Sequence, residues 1–231
     1  MTRKLLIYRD SEQAELSARY FDRLGFESIV FPLIRFEGRK FELSDLHRDC
    51  EHILIPSLTA AKFFFNNADM YDFCQGREIH CIGDKFPKVY GADFAPIQSH
   101  LDFSEALGRI SDMNCRELLY PCKQGLASIR QEEALNEGIS LRPVMCYEQF
   151  EDLKNQKFQD LLLSEIDMII LSLSESQASL LASYDHGNHR IACLGQRTAN
   201  RLKALGVPQS KITVADRPNF ESLTKALKAL L

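Results

Sequence analysis

Apolar runs of strand length alternate with segments of helical period along almost the whole chain. Nine runs read as strands: residues 5–8, 28–33, 53–55, 79–82, 118–120, 141–145, 168–171, 191–194 and 212–214. Their hydrophobic positions are continuous rather than alternating, as in central parallel strands covered on both faces. Between them, residues 13–24 place Leu16, Tyr20, Phe21 and Leu24 at helical spacing and end at Gly25, a glycine C-cap. Residues 129–137 end the same way at Gly138, and 199–205 at Gly206. This alternation predicts an α/β fold with open, parallel sheets.

The two halves repeat one another. Leu6-Ile7-Tyr8, a helix and Leu24-Gly25 are answered by Leu118-Leu119-Tyr120, a helix and Glu137-Gly138. The segment from Pro32 to Glu37 is answered by Pro143 to Glu148, and the strand end Ser57-Leu58-Thr59 by Ser172-Leu173-Ser174. Ile79 to Gly83 matches Ile191 to Gly195, and a helix start at Phe103 matches one at Phe220. Matches in one order at a nearly constant offset indicate an internal duplication. If the chain crosses between domains at 34–39 and 146–151, the first domain is discontinuous, 1–35 plus 150–231, and the second is 38–146. Gly38-Arg39-Lys40 then reads as a polar connection, and the charged stretch 148–164 as a solvated one.

Composition narrows the classes. In 231 residues, 45% hydrophobic and 26% charged is a soluble balance with enough apolar residues for two cores. A net charge of -4 argues against a binder that works by neutralising nucleic-acid phosphates. The first apolar run is too short for a signal peptide, and none reaches the ~18 residues of a membrane span, so the expected location is cytoplasmic. Cys50, Cys74, Cys81, Cys115, Cys122, Cys146 and Cys193 form no C-x-x-C pair and read as reduced, buried thiols.

Ligands of open α/β sheets bind beyond the carboxyl ends of strands, where helix starts present free N–H groups. Four such loops carry hydroxyl, glycine or basic residues: Arg9-Asp10-Ser11, Ser57-Leu58-Thr59, Ser172-Leu173-Ser174 and Gly195-Gln196-Arg197-Thr198. Each suits an anion, but taken singly each is better explained by helix capping, and only their convergence on one cleft would favour a ligand. His47, Cys50 and His52, like His186 and His189, lack a companion pair at metal spacing and read as solvated surface. Neither a G-x-G-x-x-G, a Walker motif nor a G-x-S-x-G elbow occurs, and acid–base machinery is sparse. A reaction governed by binding and geometry fits best.

Arg9, Pro32-Leu33-Ile34, the two serine-bearing strand ends, Leu119-Tyr120-Pro121-Cys122, Val144-Met145-Cys146-Tyr147 and Leu194-Gly195-Gln196-Arg197-Thr198-Ala199 together resemble the uroporphyrinogen-III synthase family, over essentially the whole chain. The resemblance implies two flavodoxin-like domains joined by a two-stranded β-ladder hinge. It also implies a substrate, hydroxymethylbilane, whose hydroxyl leaves before ring D closes through a spiro intermediate to uroporphyrinogen III. No cofactor or metal is implied, nor nucleic acid or membrane. The implied state is a monomer, with the upstream bilane-forming enzyme as a protein partner. Tyr147 matches the family's candidate for assisting hydroxyl departure, although packing at the crossing explains it as well. Arg9, Ser57, Thr59, Lys123, Ser172, Ser174, Gly195, Gln196, Arg197 and Thr198 match its substrate-binding positions. Departures fall in the second domain: Asp84-Lys85-Phe86 follows Gly83 where a hydroxyl is expected, Pro56 precedes the first serine, and Lys123-Gln124 stands where an arginine–glycine is usual. They motivate an alternative, a non-catalytic two-domain sensor or binding protein for an acidic small molecule.

Overall fold

A computed structural model describes residues 3–42, 46, 49–94, 96–165 and 167–230. The first half runs β1 (Lys4–Ile7), α1 (Ser11–Asp22), β2 (Glu27–Val30), β3 (Ile34–Gly38), β4 (His52–Ile55), α2 (Leu58–Phe64), α3 (Asp69–Cys74), β5 (Glu78–Ile82), α4 (Lys85–Tyr90), β6 (Ile97–His100) and α5 (Phe103–Asp112). The second runs β7 (Glu117–Lys123), α6 (Ala127–Asn136), β8 (Ser140–Glu151), α7 (Gln156–Ser164), β9 (Ile169–Ser172), α8 (Glu175–Leu181), β10 (Arg190–Cys193), α9 (Gln196–Ala204), β11 (Ile212–Val214) and α10 (Phe220–Lys228).

The repeat is visible in how its helices stop. After α1, α6 and α9 comes a glycine with positive φ, at 86°, 75° and 91° for Gly25, Gly138 and Gly206. The next residue is apolar and buried, and its N–H returns to the carbonyl five back: Phe26 to Phe21 at 3.2 Å, Ile139 to Ala134 at 3.0 Å, Val207 to Leu202 at 3.0 Å. A side chain with a Cβ resists that left-handed turn, so glycine is what lets helix become strand so abruptly.

The contacts divide the chain into two compact units, one of residues up to Arg35 with those from Phe150 onward, the other Phe36–Gln149. The first holds a parallel sheet in the order β11-β10-β9-β1-β2. Counted within the unit this is the 2-1-3-4-5 order of flavodoxin-like folds, with its reversal between β1 and β9. The second has β8-β7-β4-β5-β6, all parallel, which is the same order once β7 is counted first. Each unit thus takes its first β-α-β from one repeat and its other strands from the other.

Both chain crossings run in β3 and β8, which are neighbours in the sheet. Arg39 N–H donates to Cys146 O at 2.9 Å and Asp152 N–H to Leu33 O at 3.0 Å, so the pair is antiparallel. Strand β3 ends at Gly38, where the polar segment Gly38-Arg39-Lys40 begins, and β8 runs unbroken through 151. The stretch 148–164 is not wholly solvated. It contains α7, whose Phe158 and Leu162, one turn apart, are buried while its charged residues face water.

In β1, β4 and β9 the runs Leu5–Ile7, Ile53–Ile55 and Ile169–Leu171 are apolar on both faces because helices cover both. In the first unit, Leu5, Ile7 and Leu171 pack on Phe21 of α1 and on Leu223 and Leu227 of α10. Phe158 fills the opposite side, with ring centroids 5.8 Å from Tyr8, 5.2 Å from Phe31 and 4.9 Å from Tyr184. In the second unit, Ile53, Ile55 and Phe64 lie in one cluster and Leu54, Leu118 and Tyr120 in another. All seven cysteines are buried and unpaired.

Candidate functional site

In the first unit, a cavity of about 650 Å³ opens at the carboxyl ends of β9, β10 and β11. Its wall is made by the loops that start α8, α9 and α10. Ser174 has extended backbone and caps α8, accepting from Gln177 N–H at 3.3 Å. Gly195 takes the same place at α9, but no side chain caps that helix, so the start is open to an incoming acceptor. Thr198 lies in the first turn of α9, 5% exposed, and Gln196 and Arg197 stand at the rim. The Arg197 side chain is 85% exposed, 3.9 Å from Glu175, a pairing that solvent screens heavily. Gln196 Nε2 donates to Asn200 Oδ1 at 2.8 Å.

Five residues from the sequence list, Ser174, Gly195, Gln196, Arg197 and Thr198, therefore line one cavity. Two others of this unit stand apart from it. Ser172 is fully buried, its hydroxyl without a partner in good geometry beside the Tyr8 phenol, which donates instead to Gln177 O at 3.0 Å. Arg9 ends β1 with its guanidinium against Asp10 at 3.9 Å and Nη1 3.5 Å from Ser17 Oγ. Burial pulls its pKa below the ordinary arginine value, and Asp10 partly restores it.

Among the lining residues that the sequence did not single out, three bear on the site. Glu175 and Asp216 bring carboxylates to the wall, and Pro218 packs 3.6 Å from the place a Cβ on Gly195 would occupy. Residues 216 and 218 follow β11, so the strand-end rule used for the other loops identifies them too. Gln177 is a less visible support: 2% exposed, it accepts Leu173 N–H on Oε1 at 2.8 Å and so fixes the loop that carries Ser174.

The second unit places Ser57, Tyr147 and Lys123 near its own strand-order reversal, between β7 and β4. Ser57 caps α2, accepting from Ala60 N–H at 3.1 Å, and half-buried Thr59 lies in that helix's first turn. Lys123 Nζ donates to Gln149 Oε1 at 3.1 Å. Tyr147 is 7% exposed, stacked on Phe63 at 5.2 Å and 16° and edge-on to Phe36 at 5.8 Å. Burial pushes its phenol well above the ordinary tyrosine pKa, neighbouring Cys146 adds to this, and a hydrogen bond with Ser57 opposes it.

The counterpart of the α9 start is built differently here. Gly83 has φ 77° where Gly195 has −162°, and Asp84 occupies the cap position without capping. Asp84 pairs with Lys88 in solvent, which holds its carboxyl below the ordinary range. Phe86, at the position of Thr198, is 1% exposed among Phe65, Tyr90 and Phe94. An aromatic core has replaced a hydroxyl.

The histidines correct the sequence reading. His52 and His189 are not solvated: they are 9% and 7% exposed. His189 places Nδ1 3.2 Å from Met168 O and Nε2 2.7 Å from Leu162 O. His186 is half-buried, and His47 lies outside the described residues. Among the described residues no group of three His, Cys, Asp or Glu could hold a metal ion, and no helix is long and apolar enough to cross a membrane.

A search of curated proteins finds no match. Among solved structures, a uroporphyrinogen-III synthetase from Helicobacter pylori aligns over 100% of both chains, with 16% identity and a TM-score of 0.67. A mutant uroporphyrinogen III synthase from the extremely thermophilic bacterium Thermus thermophilus aligns over 99% of this chain and 97% of its own, with 15% identity and a TM-score of 0.63. At such identity these likenesses concern the fold. The family model described as uroporphyrinogen-III synthase HemD matches residues 15–225. Covering nearly the whole chain, that match shows that the protein belongs to the uroporphyrinogen-III synthase family, lyases of porphyrin and haem biosynthesis.

Proposed function

We propose that the chain binds hydroxymethylbilane and closes it to uroporphyrinogen III with ring D inverted, gripping a substrate carboxylate at the uncapped start of α9. The observation that carries this reading is the cavity over Gly195–Thr198, the start of a nine-residue helix that has no side-chain cap. Free N–H groups and the positive end of the helix dipole favour an anion there. Arg197 adds a mobile cation at the rim, while Glu175 and Asp216 turn the carboxylate toward the helix start and away from β11. In the second unit Ser57, Thr59 and Lys123 take further carboxylates, and Arg9 stiffens the end of β1. Tyr147, protonated at neutral pH, donates to the departing hydroxyl. The bilane closes unaided to the type I isomer, so the protein's work is to hold one folded geometry.

The test is incubation with hydroxymethylbilane and separation of the product isomers. Type III product in excess supports the reading, and type I alone at the unassisted rate sinks it. Thr198→Val removes one hydroxyl from the α9 start and is expected to raise KM about tenfold with little change in kcat, the worth of one hydrogen bond. An unchanged KM excludes Thr198 as a contact. Seven buried, unpaired thiols suit a reducing compartment, and we place the enzyme in the cytoplasm as a monomer receiving its unstable substrate from the bilane-forming enzyme.

A further inference from the structure

Three histidines of the second unit have no part in this chemistry. His52, His80 and His100 lie on adjacent strands β4, β5 and β6, 9%, 0% and 7% exposed. The register sets them diagonally: His80 pairs with Leu54, two residues beyond His52, and His100 with Ile82, two beyond His80. Successive diagonal neighbours on one face are within reach of long side chains. His52 Nδ1 is 3.1 Å from His80 Nε2, and His80 Nδ1 is 3.1 Å from His100 Nε2. Ring centroids 5.4 and 5.3 Å apart, with planes within 28° and 23°, put the rings edge to edge and nearly coplanar. Each contact therefore sets an N–H of one ring against the lone pair of the next.

We propose that these imidazoles form a proton-sharing chain that holds at most one extra proton, making this sheet the acid-sensitive part of the protein. Three neutral rings carry three N–H protons. Two fill the gaps between rings and the third sits at one end, on His52 Nε2 or His100 Nδ1. One added proton goes to the opposite end and leaves both inter-ring bonds intact. A second must enter a gap that already holds one, which sets two N–H donors face to face and breaks the chain. An unfolded chain has no such limit, and all three rings fill below about pH 6.5.

The surroundings agree. Burial, then the charges of His100 and His52, bring the His80 pKa down to about 4. Burial also lowers that of His100, with Glu105 of α5 opposing and Arg109 assisting. Of the other titratable groups on this face, Glu78 of β5 is engaged by Gln98 Nε2 at 3.2 Å, and Cys115 donates to Glu117 O at 3.1 Å. Tyr120 and Cys122 of β7 are buried with pKa values pushed up to about 12 and about 11, so both are neutral in mild acid. The depressed His80 pKa means that stability is complete above the unfolded value near 6.5 and is lost as pH falls from there toward 4.

Urea unfolding of the full chain from pH 6 to 4.5 tests the proton count. The folded chain holds one extra proton and the unfolded chain three, so near pH 5 the folding constant falls about 100-fold per pH unit from these rings alone. His80→Phe removes the ring that shares both gaps, so the unfolded chain binds two protons rather than three and the folded chain no longer has the one-proton limit; other groups cancel in the comparison. The variant's fall per pH unit is expected to be at least tenfold shallower than wild type's, and parallel curves overturn the proposal. Should His80→Phe fail to fold, His80→Gln, which bridges both neighbours but takes no proton, is expected to be at least tenfold shallower. In the wild-type protein at pH 7.5, ¹⁵N NMR is expected to show through-hydrogen-bond coupling between both nitrogen pairs. Absence of either coupling overturns the chain itself.

Discussion

Replacing Phe158 by alanine is expected to destabilise the first unit by about 3–5 kcal/mol, the usual cost of deleting a buried aromatic ring. The side chain is fully buried and touches three other rings, so the loss combines transfer, cavity and aromatic-pair terms. Two of those partners, Tyr8 and Phe31, come from the first 35 residues, whereas Phe158 and Tyr184 come from beyond 150. The ring is a seam between distant stretches of chain. Native-state hydrogen exchange is the measurement: protection is expected to fall in β1 and β9 and to hold in β4 and β5. Equal loss in all four strands would show that the units do not open separately.

Tyr147→Phe is expected to lower kcat about 100-fold while leaving KM and stability nearly unchanged, the lower range for loss of a general acid. Two roles compete for this residue, and the substitution separates them. Phenylalanine keeps the stacking on Phe63 and the edge contact with Phe36, so a packing role predicts full activity. Only the hydroxyl is lost, together with its bond to Ser57, about 1 kcal/mol at most. The raised pKa rules out service as a base near neutrality, and it also fixes a pH signature. The phenol stays protonated beyond the usual tyrosine range, so no alkaline fall in kcat below about pH 10 is expected from it. Wild-type activity in the Tyr147→Phe protein would leave packing as its role.

What the sequence revealed follows burial. Strands β4 and β9 read plainly because helices cover both faces, so that Ile53–Ile55 and Ile169–Leu171 are apolar without a break. Strand β6, Ile-Gln-Ser-His, escaped notice because it is the sheet's edge, with only one neighbour to demand hydrophobic residues. Helix α7 escaped too, since only Phe158 and Leu162 are buried and the exposed Leu163 blurs the helical period. The site divides in the same way. Ser174 and Gly195–Thr198 follow from the rule that ligands meet strand ends, and they do line one cavity. Ser172 differs because it is the last residue of β9, buried in the sheet beside Tyr8, whereas Ser174, two residues on, has left the strand and caps α8. The histidine chain was illegible, because its members lie 28 and 20 residues apart and meet only through strand register.

The interleaving of the repeats has a consequence for synthesis on the ribosome. The parallel pairings of the second unit all fall within residues 36–149, so that sheet can form once this stretch has emerged. Strand β1 is the first made, yet Leu5 pairs with Ile169 and cannot do so until β9 appears. At about 5–20 residues per second, the opening β-α-β waits roughly 10–30 s for its partners. During that interval Leu5, Leu6 and Ile7 are an apolar strand with an unfilled edge, which makes the nascent N-terminal segment the natural client of a chaperone.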